Sequence, residues 1–179
     1  MSRHDKPAIG SSSAADASFA SVAKNADGKT WRVVVPYLYG EEVQVATSGE
    51  YAFPGPLRKR LVAAILRGEK TATASLLEEY QRGGEPMPKL GDVEAVIDSA
   101  GKPVCLTEVT EVVCSPFAKV TDEHAVAEGE GFTNAEEWRV AHREFWTSRE
   151  FIADMGEPEV LIDGNTMVVL VSMEVTAKL

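Results

Sequence analysis

Apolar and polar positions first fall into a β-type pattern at Trp31-Arg32-Val33-Val34-Val35 and again at Glu42-Val43-Gln44-Val45. The intervening Tyr39-Gly40-Glu41 predicts that the two runs form a hairpin. The spacing changes after Pro54-Gly55-Pro56. Leu57, Leu61, Ala64 and Ile65 recur on one helical face, Arg58, Arg60 and Arg67 fall on others, and Gly68 ends the helix. A polar stretch containing Gly83-Gly84 follows Leu76 and Leu77. Lys89-Leu90-Gly91-Asp92 turns the chain into a strand over 93–98, Ser99-Ala100-Gly101-Lys102 reverses it, and Pro103 to Val113 forms the partner strand, with Glu108 at its middle. Thr121-Asp122-Glu123 starts a helix that runs through His124 to Glu128 and stops at Gly129. Thr133 with Glu136, or Asn134 with Glu137, caps a longer helix reaching about Ala153, and Thr166 to Thr176 reads as a β-branched closing strand.

Short strands joined by turns, with helices inserted between them rather than alternating strictly, predict an α+β fold: a small β-barrel with flanking helices. Residues 1–29 are rich in Ser, Ala, Asp and Lys with only Ile9, Phe19 and Val22 as sizeable apolar residues, which predicts a flexible tail and a single domain over 30–179. A chain of 179 residues buries about two-thirds of its unfolded surface on folding, so no staple is needed. No apolar run approaches the roughly 20 residues of a membrane span, and no apolar block follows the charged start as in a secretory signal. The expected setting is cytoplasmic, away from membranes. Cys105 and Cys114 belong to no Cys/His array, so neither a metal site nor a disulfide framework is expected, and both read as buried thiols.

Charge sharpens this picture. A net charge of −10 disfavours loose attraction to polyanions, and DNA is not an expected partner. The imbalance is uneven: residues 58–89 hold seven bases against four acids, whereas 90–160 hold five against sixteen. The cationic stretch contains Gly68-Glu69-Lys70-Thr71-Ala72-Thr73-Ala74-Ser75-Leu76, an amine beside three hydroxyls at a helix exit. Such an amine can bind a phosphate or carbonyl oxygen or take a proton from a hydroxyl nucleophile; a β-favouring surface run reads the same way. Glu128 sits in the last turn of its helix, where the macrodipole disfavours an anion by about 0.3–1 kcal/mol. It is either a solvated carboxylate or one brought back against Lys70. On the longer helix, Trp138, Ala141, Phe145 and Ile152 repeat as core, while Arg139, His142 and Trp146 form an adjacent row that could stack a base and bind a phosphate, or simply cap the core with polar tips. Phosphate-loop, dinucleotide, metalloprotease and nucleophile-elbow motifs are absent from the sequence.

The order of motifs carries a resemblance. Gly68-x-Lys70-Thr71-Ala72-Thr73-Ala74-Ser75-Leu76 is followed by Gly84-Glu85-Pro86-x-Pro88-Lys89-x-Gly91-Asp92, Glu108-Val109-Thr110, Pro116-Phe117, Glu128-Gly129-Glu130-Gly131 and Trp138-Arg139-x-x-His142-x-x-Phe145. From about Tyr51 to Val175 the chain resembles ASCH-domain proteins of the longer bacterial branch, formerly a domain of unknown function. The resemblance implies a barrel similar to the PUA fold, a link to RNA, and a cleft lined by the Gly-x-Lys-x-x-Thr segment. A short bacterial branch hydrolyses N4-acetylcytidine with a lysine, a threonine and a glutamate, whose motifs match Lys70, Thr73 and Glu128. Another member similar to the longer branch is described as a ribonuclease. The implied site is therefore catalytic Lys70, Thr73 and Glu128, with Thr71, Ser75, Tyr80, Glu108, Arg139, His142 and Trp146 contacting RNA or a modified nucleoside and no cofactor. This chain departs from the short branch in Ala74-Ser75-Leu76, the long helix and the N-terminal extension. A hydrolase, a non-catalytic RNA-binding module and a small-molecule sensor are the three readings carried forward.

Overall fold

The computed structural model describes residues 21–37 and 40–179. Among the described residues seven strands form one mixed sheet: β1 (Ser21–Lys24), β2 (Thr30–Tyr37), β3 (Gly40–Gly49), β4 (Ala72–Leu76), β5 (Val93–Ile97), β6 (Pro103–Pro116) and β7 (Met167–Lys178). Their spatial order is β1-β2-β3-β5-β6-β7-β4, and every pairing is antiparallel except β3 with β5. The helices are α1 (Pro56–Leu66), α2 (Leu77–Gly83), α3 (Asp122–Ala127), α4 (Ala135–Trp146) and α5 (Arg149–Met155).

The α+β class is as expected, but the sheet is open rather than a closed barrel. Its two edges are β1 and β4, of four and five residues, and they do not pair with one another. At the β4 edge the chain takes a helical partner instead of a strand, the Thr71 N–H donating to the Ala127 carbonyl at 2.8 Å. Curvature comes from β6 and β7, where register shifts between Leu106 and Thr107 and between Val109 and Glu111 bend the longest ladder.

Strand alternation divides the core. Ala95 and Ile97 face Trp31, Val33, Ala46, Leu106 and Ala177, whereas Val96 faces the opposite way, toward Tyr51, Cys105, Met173 and the α1 residues Leu61, Val62 and Ile65. Likewise Val168 packs with Leu76 under the α3–α5 group, and Val169 with Val109 and Val171 under Leu77 and Tyr80 of α2. Cys105 is buried as expected, but Cys114 is exposed.

Four local readings change. Residues 1–20 of the expected tail lie outside the described residues, but Ser21–Lys24 pair with β2 and the Asp27 carboxylate accepts from the Lys29 and Thr30 N–H groups in the connecting turn. The polar stretch after Leu76 forms α2, started by Glu79 accepting the Leu76 N–H at 2.6 Å and ended by left-handed Gly84. The long helix is two. Ser148 accepts the Phe151 N–H and restarts the chain as α5, turning Phe151 into contact with Phe145. Arg58 is buried, its guanidinium donating to the Ala52 carbonyl and to Glu50. With Arg67 on Glu69, Arg82 on Glu78 and Lys70 also paired, four of the seven bases over 58–89 are committed to carboxylates.

Candidate functional site

α1 ends at Arg67, and Gly68, at φ +72°, breaks the chain away so that Lys70 points inward rather than continuing the helix. α3 delivers the other half. Thr121 caps its N-terminus by accepting the His124 N–H, Glu128 is its C-cap, and Gly129, at φ +64°, lets the following loop run against the Lys70 segment. The contact is tight: a Cβ at Gly129 would lie 2.4 Å from the Glu69 carbonyl oxygen and 2.6 Å from the Lys70 nitrogen.

Lys70 and Glu128 are thereby brought together in the interior, each side chain 1% exposed, with Nζ 3.6 Å from Glu128 Oε2. Nζ also donates to the Glu128 carbonyl at 3.2 Å and to Glu130 Oε1 at 3.0 Å, and lies 6.0 Å from the centroid of the Tyr51 ring. The Glu128 carboxylate is surrounded by donors. Oε1 meets His124 Nε2 at 2.9 Å and accepts from Trp138 Nε1 at 2.8 Å, while Oε2 meets His142 Nε2 at 3.3 Å. Burial alone would push this carboxyl up, but hydrogen bonds from His124 and His142 and the Lys70 charge outweigh it and hold Glu128 well below the usual carboxylate range. Beneath the network, Tyr51 hydrogen-bonds Glu94, and burial pushes both groups up.

This sets a sign for acid sensitivity. A carboxyl whose folded value is depressed contributes stability above its unfolded value, here 4.5, and that contribution is lost as pH falls below it. Glu79 and Glu94, raised by burial, contribute in the opposite direction. Urea unfolding of the parent and of Glu128→Gln between pH 7 and 3 should therefore give a steeper acid loss in the parent. Parallel curves would show that Glu128 has no special ionisation in the folded state.

The remaining predicted residues distribute as follows. Thr73, opposite Val171 on β4, has no hydrogen bond to Lys70 or Glu128 among the described residues. Strand alternation puts it on the face of Ser75, whose hydroxyl meets the Tyr80 hydroxyl at 2.8 Å, whereas Ala74 and Leu76 face the Trp138 side. Thr71 is exposed and tied to Ala127. Glu108 lies across from Val93 and Glu174 and makes no hydrogen bond to Lys70 among the described residues. Arg139 binds Glu136 and the Val120 carbonyl. His142 stacks on Trp138 at 4.0 Å and belongs to the Glu128 network. Trp146 is 2% exposed and packs against Phe117, Trp138 and His142, so the Arg139/His142/Trp146 row does not offer a free stacking surface. The sequence alone assigns no role to His124, Glu130 or the indole N–H of Trp138. The i, i+4 spacings His124/Glu128 and Trp138/His142 were the available signal.

Beside Lys70 lies a cavity of about 320 Å³ with apolar walls from Ile65 and Met173 and a polar lining that includes Arg67, Thr71, Thr107 and Lys178. Its size is at the lower end for small-molecule sites, enough for a nucleobase-sized group. Among the described residues no group of three or more His, Cys, Asp or Glu side chains is arranged to hold a metal ion, and no helix is long and apolar enough to cross a membrane.

The family model described as the ASCH domain matches residues 50–176. The crystal structure of an ASCH domain from Lactobacillus crispatus is similar, with 32% identity and a TM-score of 0.63 over 73% of this chain and 81% of that one. A crystal structure of a protein from Enterococcus faecalis is similar at 29% identity and a TM-score of 0.56, over 65% of this chain and 66% of that one. No curated protein matches the chain.

Proposed function

The chain belongs to the ASCH-domain family, and from that premise we propose that it recognises RNA or a modified nucleoside at the Lys70 cleft and acts on it as a hydrolase. The observation that supports this is the Lys70–Glu128 pair, 1% exposed on both sides, with Lys70 also lining a cavity. Burying two charges costs several kcal/mol per ion before their attraction repays it, and apolar residues would fill the same space without that cost. Such a pair is more readily understood as machinery than as packing.

With two carboxylates and a carbonyl around it, the amine is arranged as a hydrogen-bond donor, which suits it to holding a carbonyl or phosphoryl oxygen. In an amidohydrolase scheme Lys70 acts as the neutral amine: the Thr73 hydroxyl attacks the acyl carbon and its proton passes to Lys70 Nζ, oriented by Glu128. As the tetrahedral intermediate collapses, Lys70 returns that proton to the departing nucleobase nitrogen, and water then hydrolyses the threonyl ester to release the acyl group as carboxylate. In a ribonuclease scheme Lys70 stabilises the charged phosphorane and His142 transfers the proton. A non-catalytic RNA-binding module is the second reading, favoured by the lack of a hydrogen bond between Thr73 and Lys70.

The test is a screen of N4-acetylcytidine, unmodified nucleosides and a short single-stranded RNA against the parent, Lys70→Ala and Thr73→Ala. The amidohydrolase predicts turnover that falls by about 100-fold or more in both variants. Loss in Lys70→Ala alone removes Thr73 as the nucleophile. Salt-sensitive RNA affinity without turnover, weakened by Lys70→Ala, selects the binding module. Equal behaviour of all three proteins would remove this cleft from the function.

A further inference from the structure

The Lys70 amine is enclosed by oxygens. Of its three N–H groups, two donate to the Glu128 carbonyl at 3.2 Å and to Glu130 Oε1 at 3.0 Å, and Glu128 Oε2 lies at ion-pair distance, 3.6 Å. With the side chain 1% exposed, a ligand oxygen reaches this amine by displacing one of these groups. The first is backbone at the end of α3, where the Glu128 N–H is bonded to the His124 carbonyl. The Glu128 carboxylate is fixed by His124, Trp138 and His142 as well as by Lys70.

Glu130 differs on each count. Among the described residues its one polar side-chain contact is Lys70, and its side chain is 18% exposed against 1% for Glu128. It sits between two glycines of positive φ, of which Gly129 is wedged against the Glu69–Lys70 backbone while Gly131, at φ +97°, has open space around its Cβ position. The backbone is therefore anchored on one side of Glu130 and unobstructed on the other. The position also has a charge signature: a carboxylate oxygen already occupies it, and removing that group leaves one amine facing one carboxylate.

We infer that Glu130 Oε1 occupies a subsite for an anionic ligand oxygen, a phosphodiester, phosphate or carboxylate, and that the ligand displaces Glu130 from Lys70. The inference rests on the Lys70 cleft being the binding site. It assigns Glu130 a role opposite to that of Glu128: one carboxylate fixes the amine and the other holds its place for the ligand.

The experiment uses the full chain labelled with 15N-lysine and follows the Lys70 Nζ resonance during titration with sodium acetate, inorganic phosphate and neutral N-methylacetamide. Glu130→Ala is expected to respond to acetate and phosphate at concentrations about tenfold or more below the parent, because no internal competitor has to be removed. Glu130→Gln, which keeps an acceptor oxygen but not the charge, should fall between them, and Lys70→Ala removes the reporter resonance and so assigns it. Unchanged or weaker anion response in both Glu130 variants overturns the displacement, and an equal response to N-methylacetamide overturns the anionic assignment. N4-acetylcytidine and a short single-stranded RNA are then added to the same samples. If Glu130→Ala takes anions but neither it nor the parent binds either compound, the subsite stands and the RNA reading fails. If Glu130→Ala lowers RNA affinity, the displacement fails whatever the anions do.

Discussion

Glu128→Ala is expected to destabilise the fold by about 3–5 kcal/mol, the cost of removing one partner from a buried ion pair. The loss goes beyond Lys70. Trp138 Nε1, which is fully buried with its ring, loses its acceptor, and the rings of His124 and His142 lose theirs. Lys70 retains Glu130 and a backbone carbonyl, so the amine is not stranded entirely. Glu128→Gln keeps an oxygen for part of this set and should cost less, about 1–3 kcal/mol for the groups left unsatisfied. Lys70→Met should also cost less than Glu128→Ala, because the carboxylate keeps three N–H partners from other side chains. Urea unfolding at neutral pH orders the variants. A loss below about 1 kcal/mol for Glu128→Ala, typical of an exposed ion pair, would mean that the network is not closed to water in solution.

Gly129→Ala should be comparably damaging for a different reason. The left-handed conformation alone costs a non-glycine residue about 1–3 kcal/mol. Here the added Cβ also meets backbone, the Glu69 carbonyl at 2.4 Å and the Lys70 nitrogen at 2.6 Å, and backbone cannot rotate out of the way as a side chain can. The total should therefore be about 3 kcal/mol or more, delivered as a separation of α3 from the Lys70 segment. Gly131→Ala is the control: φ is +97° there, but nothing lies within 4 Å, so only the conformational cost applies. Unfolding free energies of the two variants measure the steric part by difference, and equal losses would show that the close approach relaxes at no cost.

Much of this molecule was legible in the sequence where the determinants are local. The hairpins, α1, α3 and the caps at Thr121 and Asn134 follow from neighbouring residues. Lys70 meeting Glu128 is one of two readings of a carboxylate in the last turn of α3 and is what the matched motifs imply, since no periodicity relates residues 58 positions apart. What could not be read depends on partners distant along the chain. Barrel closure requires β1 and β4 to pair, and nothing within either short run decides that. Arg58 reads as a solvent cation until Glu50 and the Ala52 carbonyl enclose it. Trp146 reads either as a stacking platform or as a cap on the core, and only the distant Phe117, packed with Trp138 and His142 around its ring, settles it inside. Glu130 carries no readable role in the sequence, because a carboxylate between two glycines looks like an ordinary surface loop.

A parallel seam joins β3 to β5 through Thr47–Glu94, Ser48–Ala95 and Gly49–Val96, and it coincides with the start of the family match at residue 50. The three upstream strands are thus an add-on shield docked on the flank of the family core. They occupy hydrogen-bonding groups of β5 that could otherwise recruit a stranger's strand, and they cover Ala95, Ile97 and Leu106 with Trp31, Val33 and Ala46. Trimming the protein to its family boundaries would leave the Lys70 machinery intact in sequence while converting that flank into a sticky seam. The upstream extension can therefore contribute to solubility without touching the chemistry.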